Sequence, residues 1–189
     1  MDETVLRKRI FRVLNFLQVL AWRMGMGPWL SKFPAQTGAY LVLTHQGRKS
    51  GKKYRTPVNF AQVNGDIYIT AGFGSVTDWY QNIVANPQVE IWIPDGWYVG
   101  TATDAPITSE TIPVLRKVMA NSGFVAPLIG IHPNKLSDED LLELCKDYRL
   151  VRIQRSAPRT GKDGPGDLVW LWMLIVLLLL TGGKKKRKK

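Results

Sequence analysis

The stretch that most constrains this chain reads THQGRKSG over residues 44–51, followed by YRTPV over residues 54–58. It is a glycine-bracketed basic turn between two runs that have the composition of β-strands. Gly47 and Gly51 permit positive backbone torsions and close approach, so amide hydrogens can point at an anion while basic side chains supply charge. A phosphorylated cofactor suits this pattern, and so does a solvated hairpin whose lysines only keep the turn soluble.

Outward from that turn, the middle of the chain has the pattern of a β-rich domain. Glycine, proline or asparagine turns separate runs that we predict to be strands, at residues 39–44, 54–63, 67–71, 89–93, 97–103 and 148–154. Helices are predicted at residues 77–85, 110–120 and 137–145, the first of them capped by Thr77 or Asp78. We therefore predict an α+β fold with flanking helices, in which five or six antiparallel strands would be enough for a small barrel.

A second block makes the basic turn more informative. It reads DIYITAGFG over residues 66–74, a strand that enters a glycine turn, and continues with WYQN at 79–82 and Asn86-Pro87. Together, the two blocks resemble the deazaflavin (coenzyme F420)-dependent nitroreductase and quinone reductase family, whose members are relatives of the flavin-binding split β-barrels. The resemblance is close over about residues 38–103 and looser to about residue 155.

The resemblance implies a split β-barrel that binds F420, with FMN as the alternative cofactor. It also implies hydride transfer, in which the cofactor supplies the reactivity and the protein supplies orientation and electrostatics. In the family, the loop equivalent to residues 48–55 holds the phosphate and acidic tail of F420. The implied cofactor-binding residues are Arg48, Lys49, Ser50, Gly51, Arg55, Thr56, Pro57, Ala71, Gly72, Gly74, Trp79 and Asn82. No catalytic residue or proton donor is assigned.

The acceptor side departs from the family pattern. Family members often line it with tyrosines from the segment after the barrel, whereas residues 122–133 here contain Phe124, Ile129 and His132 and no tyrosine. The apolar character of this segment favours a lipid-soluble quinone, such as menaquinone, over a soluble nitro compound. An FMN-dependent oxidoreductase and a non-catalytic tethering module remain as alternatives, although a tether has no need of the basic turn.

Composition excludes some classes of function. The formal net charge is +11, but residues 184–189 carry six of these charges, which leaves +5 for the other residues. Because no nucleic-acid-binding signature accompanies the charge, no nucleic-acid partner is predicted. A single cysteine, Cys145, lies in a leucine-rich stretch and is predicted to be a buried core thiol. Two distant histidines give no metal-ligand spacing, so no metal is predicted.

The two ends of the chain point to a membrane. Residues 1–28 contain an amphipathic helix from Glu3 to Met24 that either packs over the barrel or lies in a membrane plane. The cofactor-binding domain is predicted at 29–155, a flexible linker at 156–166, a hydrophobic membrane segment at 167–183 and a basic tail at 184–189. As a helix, the hydrophobic segment would measure roughly 25 Å, a marginal span for ~30 Å of hydrocarbon. We predict a membrane helix that contacts lipid at the cell membrane, with the catalytic domain on the cytoplasmic side.

Overall fold

The computed structural model of the protein describes residues 3–31, 38–123 and 131–182. Its strands are β1 Tyr40–Gln46, β2 Lys53–Val63, β3 Asp66–Ala71, β4 Gln88–Ile93, β5 Gly96–Ala105 and β6 Arg149–Pro158. Its helices are α1 Glu3–Arg23, α2 Gly27–Leu30, α3 Asp78–Ala85, α4 Ile112–Ala120, α5 Asp138–Leu144 and α6 Leu171–Gly182, and a short 3-10 helix spans Gly74–Val76.

The six strands form a closed antiparallel barrel in the order β1-β2-β3-β6-β5-β4. The predicted α+β barrel with flanking helices is therefore confirmed. β6 extends beyond its predicted end at residue 154, because Ala157 and Pro158 still pair with Val99 and Tyr98 of β5. Part of the segment predicted as a linker is thus strand.

Strand alternation divides the apolar side chains between the two faces of the barrel wall. Leu41 and Leu43 of β1 join the main core cluster, whereas Val42 belongs to a second buried cluster. That second cluster contains Trp22 of α1, so the end of α1 packs on the outer face of the barrel. A third cluster lies between α4 and α5 and contains Cys145, which is fully buried as predicted.

The hydrophobic segment differs from the prediction of a helix over residues 167–183. The amides of Gly166 and Leu168 donate to the carbonyls of Trp22 and Arg23, and Asp167 forms a bidentate ion pair with Arg23, with the shorter distance 2.6 Å. These bonds to α1 hold the chain in turns, so α6 begins only at Leu171.

The prediction of a membrane-spanning helix is corrected by this geometry. α6 has 12 residues, which at 1.5 Å per residue is about 18 Å, well short of the ~30 Å of bilayer hydrocarbon. Within residues 3–31, 38–123 and 131–182, no helix combines the length and the apolar character that a span requires. The basic tail at 184–189 lies outside the described residues.

Candidate functional site

A cavity of about 460 Å³ lies where the basic turn between β1 and β2 meets the start of α3. β1 and β2 bring the turn to one end of the barrel, and the short helix packs beside it. The cavity is lined by His45, Gly47, Arg48, Lys49, Ser50, Tyr54, Thr56, Thr77, Asp78, Trp79 and Asn82.

The turn depends on its two glycines. The amide of Gly47 donates to the carbonyl of Lys52 and the amide of Gly51 donates to the carbonyl of Gly47, each at 2.8 Å. Gly51 adopts a φ of +66°, a conformation that side chains with a Cβ disfavour. A Cβ on Gly47 would lie 2.6 Å from the Tyr54 ring. The sequence therefore folds into a tight turn that presents its basic side chains to the cavity.

Arg48 is oriented by two residues of α3. Its backbone amide donates to Asn82 Oδ1 at 3.1 Å, and its Nη1 donates to the same oxygen at 2.9 Å. Its Nη2 lies 3.2 Å from Asp78 Oδ1. Because the guanidinium is held before any ligand binds, less conformational entropy is lost when it contacts an anion.

His45 contacts Asn82, as Arg48 does, and is 4% exposed. Its Nδ1 is 3.1 Å from Asn82 Nδ2, and its Nε2 is 3.1 Å from Thr56 Oγ1. Burial lowers the pKa of His45 to about 4, and the negative charge of Asp78 opposes this shift only in part. The ring is therefore neutral at physiological pH.

We predict that His45 makes the stability of the protein depend on pH. The pKa is about 4 in the folded state and 6.5 in the unfolded state, so between these values the unfolded chain binds a proton that the folded chain does not. The contribution is fully present above pH 6.5 and is lost as pH falls toward 4. Between pH 7 and pH 5, we expect the free energy of unfolding to fall by about 2 kcal/mol because of His45.

Urea unfolding of the wild type and of His45→Gln at pH 7 and pH 5 measures this contribution. The variant, which cannot titrate at this position, should lose less stability between the two pH values than the wild type. Equal losses in the two proteins would contradict the prediction.

The cavity has the donors that an anionic ligand requires. Lys49 and Arg48 supply positive charge, and the hydroxyls of Ser50 and Tyr54 lie 3.2 Å apart at its edge. Thr77 lines the same cavity, and its Oγ1 is a buried polar atom without a hydrogen-bond partner in the described part of the chain. Such an atom is costly unless a ligand or water satisfies it. These residues fit a phosphate or carboxylate group.

The cavity brings together six of the twelve residues that the sequence analysis assigned to cofactor binding. These are Arg48, Lys49, Ser50, Thr56, Trp79 and Asn82. They come from the basic turn, β2 and α3, which are separated by up to 34 positions in the chain. Closure of the barrel therefore places the two sequence blocks side by side.

Arg55 does not line this cavity. Because successive side chains of a strand point to opposite faces, Arg55 lies opposite Tyr54 and Thr56. Its guanidinium stacks over Trp92 at 5.0 Å and donates to the carbonyl of Asp163 at 2.7 Å. Strand alternation applied to residues 54–56 would have predicted that the side chains of Arg55 and Thr56 point to opposite faces of the sheet.

The other predicted residues also lie elsewhere. Pro57 pairs with Val42 in the sheet, and Gly51 lines a neighbouring cavity of about 290 Å³. The remaining three residues lie at the end of β3 or just after it. Ala71 is buried in the barrel core, Gly72 faces Tyr148 and Gly74 faces the backbone of Asp147. A Cβ on Gly74 would lie 2.4 Å from the Asp147 carbonyl oxygen. This glycine is required for packing.

Five residues that line the cavity were not among the assigned cofactor-binding residues, namely His45, Gly47, Tyr54, Thr77 and Asp78. Alternation along β2 would have identified Tyr54, since it shares a face with Thr56. The acceptor-side residues Phe124 and Ile129 lie outside the described residues. His132 lines a separate cavity of about 230 Å³ beside the end of α4.

Comparison with known proteins identifies a family that the sequence matches. A family model described as F420H(2)-dependent quinone reductase matches residues 19–123. No curated protein sequence matches the chain.

Solved structures show limited likeness. An F420-H2 dependent reductase is 20% identical, with 61% of this chain and 94% of that chain covered at a TM-score of 0.43. An F420 reductase is 16% identical, with coverages of 67% and 93% and a TM-score of 0.40. A candidate 5-nitroimidazole antibiotic resistance protein from Bacteroides thetaiotaomicron is 13% identical, with coverages of 64% and 74% and a TM-score of 0.47. Likeness at this level identifies no function for the chain.

Proposed function

The chain belongs to the F420H(2)-dependent quinone reductase family, and from that premise we propose that it transfers a hydride from reduced F420 to a lipid-soluble quinone. It is an F420-dependent oxidoreductase. The observation that carries the proposal is the extent of the family match, since residues 19–123 include every residue that lines the cavity at the basic turn.

The cavity residues supply binding and orientation. Arg48 and Lys49 bind the anionic part of the cofactor, because charge-assisted contacts are stronger than neutral ones. Trp79 lines the cavity with an aromatic side chain, and Thr56 offers its hydroxyl to polar groups. When bound, reduced F420 supplies the hydride. The residues of this chain fix its position and hold the guanidinium of Arg48 in place.

The family assignment supports F420 over FMN as the cofactor. Of the two further cations in the turn, Lys53 forms an ion pair with Glu90 at 3.0 Å. Lys52 is exposed and is therefore available to the acidic tail of F420.

We further propose that the protein lies on a membrane surface. Leu178, Leu179 and Leu180 of α6 are 69%, 73% and 68% exposed. α1 exposes apolar side chains as well, including Phe16 and Leu17, and the Arg23–Asp167 ion pair joins α1 to the turns that precede α6. An amphipathic helix such as α1 lies in the interfacial plane with its apolar side chains in lipid, and the exposed leucines of α6 would add to the apolar surface in contact with lipid. The catalytic domain would lie on the cytoplasmic side of the membrane. The free thiol of Cys145 is compatible with that compartment.

This location favours a quinone as the acceptor, because a lipid-soluble substrate is concentrated where the apolar helices bind. Reduced F420 should be oxidised by a menaquinone analogue in the presence of the protein and phospholipid vesicles, as measured by the absorbance of the cofactor. A panel of soluble nitroaromatic compounds is the comparison. Turnover of these compounds without turnover of any quinone would contradict the quinone assignment but not the reductase. No oxidation by any acceptor would contradict both.

A further inference from the structure

A chain of four side chains connects Arg48 to the wall of the cavity, and its hydrogen bonds can run in one direction only. Asn82 Oδ1 faces two obligatory donors, the backbone amide and the Nη1 of Arg48, at 3.1 and 2.9 Å. A reversed amide would place donors against donors, so the oxygen of Asn82 must face Arg48. Its nitrogen then faces His45.

The orientation of Asn82 fixes the tautomer of His45. Because Asn82 Nδ2 is a donor at 3.1 Å from His45 Nδ1, that ring nitrogen must accept and carries no proton. A neutral ring then carries its proton on Nε2, in agreement with the lowered pKa of this buried histidine. The Nε2 hydrogen points at Thr56 Oγ1, which is 3.1 Å away.

The last member of the chain is Thr56. Its oxygen accepts from His45, so its own hydrogen cannot point back at the ring. Among the residues that the structure describes, Thr56 Oγ1 has no second hydrogen-bond partner, and Thr56 lines the cavity. We propose that Asn82 and His45 are positioning residues that turn the Thr56 hydroxyl into a hydrogen-bond donor for an oxygen or nitrogen acceptor of the bound ligand.

This inference rests on the proposed function for the identity of the ligand, which is F420. The direction of the hydrogen bonds does not depend on that function. A ligand whose acceptor faces Thr56 is favoured because it receives the hydroxyl hydrogen. A ligand donor would instead use the second lone pair of Oγ1 and leave that hydrogen unpaired. The same amide of Asn82 also holds Arg48. One residue of α3 therefore positions both the cationic contact and the hydroxyl contact.

The direction of the hydrogen bonds from Arg48 to Thr56 can be determined without any cofactor. The protein contains two histidines, so a two-bond ¹H–¹⁵N correlation spectrum shows two rings, and His132→Gln assigns them. At pH 7 we expect the His45 signals of the Nε2–H tautomer. Asn82→Asp can still accept from Arg48 but cannot donate, so Nδ1 of His45 should become protonated in that variant. An Nδ1–H tautomer or a charged ring in the wild type would overturn the proposal.

Binding then tests the hydroxyl itself. Thr56→Val keeps the shape of the side chain and loses the donor, so the dissociation constant for F420 should rise about threefold to tenfold. Thr56→Ser keeps the hydroxyl and should bind within about twofold of the wild type, and unfolding midpoints check that both variants fold. Wild-type affinity in Thr56→Val would overturn the role of Thr56. Absence of F420 binding by the wild type would instead contradict the proposed function, while the tautomer would still decide the direction of the chain.

Discussion

Loss of both cations at the basic turn should weaken F420 binding at least about a hundredfold. In the Arg48→Ala/Lys49→Ala double variant, two charge-assisted contacts disappear, each of which contributes roughly 1.5–3 kcal/mol. Arg48 contributes more than charge, because Asn82 and Asp78 hold its guanidinium in place before the ligand arrives. Titration of the purified protein with F420, followed by cofactor fluorescence or by calorimetry, gives the dissociation constants.

A charge-matched control separates local contacts from the general attraction of a basic protein for an anion. Lys146→Ala/Arg155→Ala also removes two cations, from ion pairs with Glu143 and Asp95 that lie outside the cavity. Its affinity should stay within about threefold of the wild type, since distant surface charges are screened by salt. If the two double variants bind equally well, the basic turn is not the anion site.

Polar substitution of the exposed leucines of α6 should release the protein from lipid. Leu178→Gln, Leu179→Gln and Leu180→Gln together remove three side chains whose burial contributes roughly 1.5–3 kcal/mol each. Binding to phosphatidylcholine vesicles in high salt should therefore fall more than about a hundredfold. Flotation of the protein with the vesicles measures the bound fraction, and the neutral lipid with high salt suppresses any contribution of the basic tail.

The matched control replaces exposed apolar residues outside α6, through Val76→Gln, Val84→Gln and Leu144→Gln. This variant should float with vesicles as the wild type does. Undiminished flotation of the α6 variant would show that α6 does not bind lipid, and would leave α1 as the helix to substitute next.

Local patterns were enough to predict the strands of the barrel. Period-two runs between glycine and asparagine turns indicated all six strands, because backbone alternation and turn preferences depend on near neighbours in sequence. The same patterns indicated the basic turn, where Gly51 has the positive φ that its residue type allows. The α6 segment shows the limit of composition, since an apolar run alone could not reveal that bonds from Gly166 and Leu168 to α1 delay the start of the helix.

The order of residues was enough to predict five or six strands and a basic, glycine-bracketed turn between two of them. It was not enough to predict which side chains line the cavity together, because that depends on how the elements pack. Arg48 and Asn82 are 34 positions apart and meet because α3 packs beside the turn, whereas Arg55, seven positions from Arg48, faces away toward Trp92. A strand or helix is specified by residues close in sequence, whereas the partner of a buried polar group is specified by closure of the barrel. The direction of the hydrogen bonds from Arg48 to Thr56 follows from that closure.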